Sequence, residues 1–162
     1  MTLQPLLPLP AAWESTRATL HAYAKALGTI ARAHAIPHDK WWHVSLQVRP
    51  TGLVTDAMPL PSGGTFSLRL DLNSHNAVVE TSSGETQSLP MTEGWSGTQF
   101  GNRLISLLAE CGLEGDYERD KFVDDAGAQY DQASATEFFA ALVNVNHNFE
   151  VYRSRCDGSV GP

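Results

Sequence analysis

Three imidazoles fall within ten residues of this chain, at His34, His38 and His43. Neutral imidazole is a common metal ligand, so the spacing His34-x3-His38-x4-His43 invites a zinc reading. Two features oppose it. Pro37 keeps His34 and His38 from sharing a helical face, and no nearby cysteine or glutamate completes a ligand set. The expectation is no metal here, with Asp39 in a turn between the rings.

His43 carries more information than the other two. It follows Trp41-Trp42 and reads as the opening of a strand over 42–49. There Trp42, Val44, Leu46 and Val48 share one face, while His43, Ser45, Gln47 and Arg49 share the other. A second alternating run, Phe66 to Leu72, adds Ser67, Arg69 and Asp71 to the polar side if both strands join one sheet. Guanidinium groups bind carboxylates and other anions through paired donors, so two arginines beside an imidazole and a carboxylate make a candidate anion site. Adjacent strand residues point to opposite faces, which sends one of Trp41 and Trp42 inward and leaves the other as a wall. The candidate ligand-binding set is therefore Trp41, Trp42, His43, Gln47, Arg49, Arg69 and Asp71. The same residues would also make an ordinary solvated sheet face.

A catalytic alternative rests on His21, which lies beside the apolar stripe of the first helix. Paired with His43 it would form an acid/base couple or two metal ligands. The remaining chemistry is thin. Asp116-x-Glu118-x-Asp120 imitates the start of a calcium loop but lacks its glycine and its closing glutamate, so a solvated, mobile acidic loop is expected. There is no nucleophile elbow, phosphate-cradling loop or dinucleotide fingerprint, and Ser62-Gly63-Gly64 reads as a turn. The sequence specifies no cofactor. Cys111 belongs to a helical apolar stripe, and Cys156 has Arg153 and Arg155 near it in a tail position.

The elements that must position these groups follow from periodicity. Residues 1–10, with proline at positions 5, 8 and 10, read as an extended arm. A first helix runs from about Ala11 to Ala33, its stripe formed by Trp13, Leu20, Tyr23, Ala24, Leu27, Ile30 and Ala31, with Gly28 as a costly interior residue. Pro37 ends it. The period then changes to 2 through short segments at 42–49, 53–54, 66–72, 77–81 and 86–89, joined by turn-length connections. A second helix has Ser96 and Gln99 as a capping box and ends at Gly112. A third begins near Ser134, with the stripe Phe138, Leu142, Val145, Phe149 and Tyr152. The predicted fold is a single α+β domain: an antiparallel sheet of four to five strands packed on one face by three helices.

Composition narrows the partners. The 162 residues carry 11 Lys plus Arg against 18 Asp plus Glu, a formal charge of −7. No basic stripe exists to hold nucleic acid through its phosphates. The proline-broken start lacks the features of a signal peptide, and the longest apolar run is far short of the ~20 residues that cross a bilayer. No membrane association and a cytoplasmic location are the expectation, with two reduced thiols.

Several motifs together resemble a bacterial family of domains of unknown function, family 5996. They are Trp13-Glu14-x-Thr16, Thr19-Leu20-His21, Gly28, Trp41-Trp42-His43-Val44, Gly52-Leu53-Val54-Thr55 and Phe66-x-Leu68-x-Leu70-Asp71. The resemblance implies no activity, but it places His21 and His43 on the two histidine motifs. It also implies members of about 300 residues, so that this chain would match an N-terminal half, with Gly158 to Pro162 approaching a further element. The leading functional expectation is a small-molecule binding domain for an anion or carboxylate on the polar sheet face. The alternatives are the His21/His43 enzyme, and an interaction module completed by a second copy or by a separate C-terminal-half partner.

Overall fold

A computed structural model describes residues 1–156. The element expected after Gly158 lies outside the described residues. Three helices and six strands form the α+β architecture: α1 (Glu14–His34), β1 (Leu46–Arg49), β2 (Gly52–Thr55), β3 (Met58–Pro59), β4 (Thr65–Asp71), β5 (Asn76–Thr81), β6 (Thr86–Pro90), α2 (Gly97–Glu110) and α3 (Gln132–Arg153). Two short 3-10 turns, Trp42–Val44 and Arg119–Phe122, lie between them.

The strands form one antiparallel sheet in the order β1-β2-β4-β5-β6, with the two-residue β3 added beside β4. Alternation explains the two faces. Leu68, Leu70, Ala77 and Val79 point to one side and are buried with Leu20, Tyr23, Leu27 and Ile30 of α1 and Phe100, Leu104 and Leu108 of α2. Each large side chain removed from water there contributes about 1.5–3 kcal/mol. Tyr23 and Phe100 stack at 3.8 Å across the two helices, and the Tyr23 hydroxyl donates to the Trp95 carbonyl. At Gly52 a Cβ would stand 1.9 Å from the Leu70 carbonyl oxygen, so β2 and β4 meet this closely only because the residue is glycine.

The helices depart from expectation at their ends. α1 starts at Glu14, after Trp13 rather than at Ala11. α3 is capped by Asp131, whose carboxylate accepts from the Ser134 N–H, instead of by Ser134 itself. The Ser96–Gln99 capping box on α2 is present with both of its hydrogen bonds. The acidic segment keeps Asp116, Glu118 and Asp120 exposed, but Phe122 beyond them is buried against Gly101 of α2 and anchors it. Two threonines of α1 hold the approach to α3: Thr16 accepts from the Asp131 N–H, and Thr19 accepts from the Gln129 N–H while donating to its carbonyl.

Candidate functional site

The register of the sheet settles where the candidate side chains stand. Gln47 lies across from Val54, Val54 from Arg69, and Arg69 from Val78. Arg49 and Asp71 flank Gly52 one step along. Gln47, Arg49, Arg69 and Asp71 thus share the face away from the helices. Arg69, however, is already occupied. Its Nη1 donates to Glu80 at 2.8 Å, and its Nε lies 3.3 Å from Asp71 without making a hydrogen bond. Asp71 is buried, and its other oxygen accepts from the Asn73 and Ser74 N–H groups, closing the β4–β5 turn. A guanidinium between two carboxylates presents little free positive charge to an anion.

His43 does not join this face. The strand begins at Leu46, and residues 42–44 form a 3-10 turn preceded by Trp41 in the left-handed backbone region at φ 60. The reversal comes from local hydrogen bonding. His38 N–H donates to His43 Nδ1 at 3.0 Å, Lys40 N–H donates to His38 Nδ1 at 3.1 Å, and the Trp41 N–H closes on the His38 carbonyl. Both imidazoles accept at Nδ1, which leaves their ring protons on Nε2. Side-chain stacking completes the knot: His38 on Trp42 at 4.6 Å, and His43 on Trp41 at 5.5 Å. The paired indoles therefore do not divide between a sheet's two faces. Trp42 is half-buried beneath Lys40, and Trp41 stands exposed.

His21 points into solvent. The 3-10 turn bearing His43 packs instead where Arg32 lies over the Trp41 ring at 4.8 Å. Eleven residues of helix separate His21 from Arg32, a rise of roughly 16 Å. The geometry does not bring His21 and His43 together. Among the described residues no three His, Cys, Asp or Glu side chains gather closely enough to hold a metal ion.

What the turn builds is a different site. Lys25, Gly28, Thr29 and Arg32 line one side of α1, at helical spacings of three, one and three, with Thr29 buried at the edge of the core stripe. With Trp41, Val44 and Lys121 they bound an open cavity of about 250 Å³. Gly28 leaves its floor clear, since a Cβ there would meet nothing within 4 Å. Three cations converge in a chain of charge −7. Arg32 pairs with Glu118 at 3.4 Å and Lys121 with Asp120 at 3.5 Å, both at exposed positions where such pairs are weak. Lys25 makes no ion pair among the described residues. Sequence reading did not single out Lys25 or Arg32; their spacing of three and four residues about Gly28 is the helical-face signal that could have found them. Lys121 has no such signal, because a 3-10 turn within an acidic stretch delivers it.

A second cavity, about 270 Å³, lies between α1 and residues 124–129. Its polar groups are used internally: Tyr23 on Trp95, Thr19 on Gln129.

A family profile described as a family of unknown function, DUF5996, matches residues 4–162. The chain belongs to DUF5996. No curated protein and no solved structure matches it. Within this DUF5996 chain the Thr19-Leu20-His21 motif has a structural part, the threonine that clamps Gln129, and an exposed histidine. Of the Trp41-Trp42-His43 motif, Trp41 lines the cationic cavity, while His43 stacks on it. No helix among the described residues is long and apolar enough to cross a membrane.

Proposed function

We propose that the protein binds a small, planar anion such as an aromatic carboxylate in the cavity between α1 and the two 3-10 turns. Trp41 supplies the flat wall, and Lys25, Arg32 and Lys121 supply the charge. The observation that carries this reading is the conformation of Trp41. A bulky residue in the left-handed region costs about 1–2 kcal/mol, and here that cost holds an exposed indole within stacking reach of the Arg32 guanidinium and of the His43 ring. Strain retained at a cation-lined cavity has the form expected of a ligand clamp. Lys25 contributes unneutralised charge, and the weak partners of Arg32 and Lys121 can be displaced by a ligand carboxylate. The sheet face is the poorer anion site because Asp71 and Glu80 already offset the charge of Arg69.

Titration with benzoate and with inorganic phosphate, followed by tryptophan fluorescence, tests the reading. Benzoate should quench Trp41 and raise the melting temperature, and Trp41→Phe should remove most of the fluorescence response. Arg32→Gln should weaken binding about 10- to 100-fold, the loss of one charge-assisted hydrogen bond of ~1.5–3 kcal/mol. Absence of any response to either anion in the wild-type protein, or an undiminished response in Lys25→Gln/Arg32→Gln, would falsify the assignment.

A further inference from the structure

The proline-rich arm is held to α3 in an unusual manner. The Asn148 side chain accepts from the Gln4 N–H at 2.8 Å and donates to the Gln4 carbonyl at 3.0 Å, reading both polar groups of one residue's backbone. One turn earlier on the helix, Asn144 accepts from the Leu7 N–H at 3.2 Å. Its amide also donates to the Gln4 side chain, and His147 Nε2 approaches the Thr2 carbonyl at 3.3 Å. The arm is thus gripped largely through its backbone. Leu3, Leu6, Leu7 and Leu9 all remain exposed, Leu6 at 69%. Beside Leu6, Phe149 and Tyr152 of α3 are exposed at 63% and 66%.

The joint between arm and helix is strained. Ala12, two residues before α1 begins, has φ 55, a region that alanine disfavours. Strained hinges next to a segment with its own complementary receptor favour exchange between copies, since every native contact is preserved while the hinge relaxes.

We infer that this chain forms an arm-exchanged dimer, in which residues 1–10 of each copy lie on the Asn144/Asn148 ladder of the other. A second copy is the occupant that the observations favour, because it supplies the same arm with the same register to the same ladder. Opening at Ala12 returns that residue to extended backbone in both chains. The polyproline-like arm spans about 30 Å, enough to reach a neighbour. Reciprocal exchange is a closed two-fold arrangement, so it ends at a dimer and brings the apolar arm–α3 face of one copy against the other. The inference is independent of the anion cavity, which lies at another end of α1.

The test combines light scattering with cross-linking in a Cys111→Ser/Cys156→Ser background. The wild-type chain should show a concentration-dependent monomer–dimer equilibrium. Ala12→Gly, which removes the left-handed penalty of the closed form in two chains, should weaken the dimer by roughly 30-fold. Ala12→Pro, which cannot adopt φ 55, should strengthen it. One population carrying Leu6→Cys is mixed with another carrying Phe149→Cys, exposed neighbours outside the asparagine ladder, and a short bis-maleimide should join them into a covalent heterodimer. A chain that stays monomeric at every concentration overturns the inference. So does a dimer that gives no cross-link between the two populations, because its arms then remain on their own helices.

Discussion

Two glycines show how the same residue type answers to different neighbours. At Gly28 a Cβ projects into the open cationic cavity, whereas at Gly101 it would meet the Phe122 ring at 2.4 Å. Gly28→Ala should therefore stabilise the protein by about 1 kcal/mol through helix propensity, a rise in melting temperature of roughly 2–4 °C. Gly101→Ala should destabilise it by about 1–3 kcal/mol through overpacking, because Phe122 is buried and cannot swing away. Thermal denaturation of the two variants decides both, and equal signs would overturn the contrast between open and filled surroundings. Gly28→Leu adds a sharper consequence, since it should fill the cavity and abolish the benzoate response while leaving the fold intact. Arg69→Met should do the reverse. It should leave benzoate binding unchanged and cost about 1–3 kcal/mol, because Asp71 and Glu80 lose their shared cation.

At the scale of elements, the sequence was most legible where one local signal acted alone. The Ser96–Gln99 box specified the start of α2 to the residue, and alternation placed Leu68 and Leu70 inward with Arg69 outward. It failed where two signals competed. Trp42-His43-Val44 alternates as a strand would, but hydrogen bonds from His38 and Lys40 backbones to imidazole nitrogens, together with two aromatic stacks, give a local structure that outweighs the period-2 pattern. α3 failed differently. Its stripe of Phe138, Leu142, Val145, Phe149 and Tyr152 has good spacing, yet Phe149 and Tyr152 are exposed, while Ala135, Phe139, Ala141, Asn144 and Val151 are buried. The helix is apolar on more than one side, so periodicity could not choose the inner face. Asn144 is instructive here: a polar residue is buried because the arm's backbone satisfies it. The candidate site inherited the first failure. Trp41 lines a cavity whose cations come from a helix and a 3-10 turn instead of a neighbouring strand.

The whole molecule's stability should fall on both sides of neutrality, and the causes differ. Burial lowers the His34 imidazole below its ordinary 6.5, and its Nε2 lies 2.9 Å from the Tyr117 hydroxyl. The unfolded chain then binds a proton more readily than the folded one, so stability is fully present above pH 6.5 and is lost as pH falls below that value through the folded pKa. Further down, Asp131 sits below its usual carboxylate value because Ser134 hydrogen-bonds to it, and that contribution disappears as the carboxyl is protonated. The alkaline side runs through buried phenols. Tyr23 is pushed up to about 12 and Tyr130 is raised by burial, so unfolded tyrosines ionise from about 10 while the folded ones hold their protons. Stability there is complete below pH 10 and declines as pH rises toward 12. Melting temperatures recorded between pH 5 and pH 8 isolate the histidine. His34→Gln, which keeps a hydrogen-bonding partner for Tyr117 but does not titrate, should flatten the decline below pH 6.5. A variant whose acid limb matches the wild type would show that another group, and not the imidazole packed edge-on against Phe66, sets the acid stability of the domain.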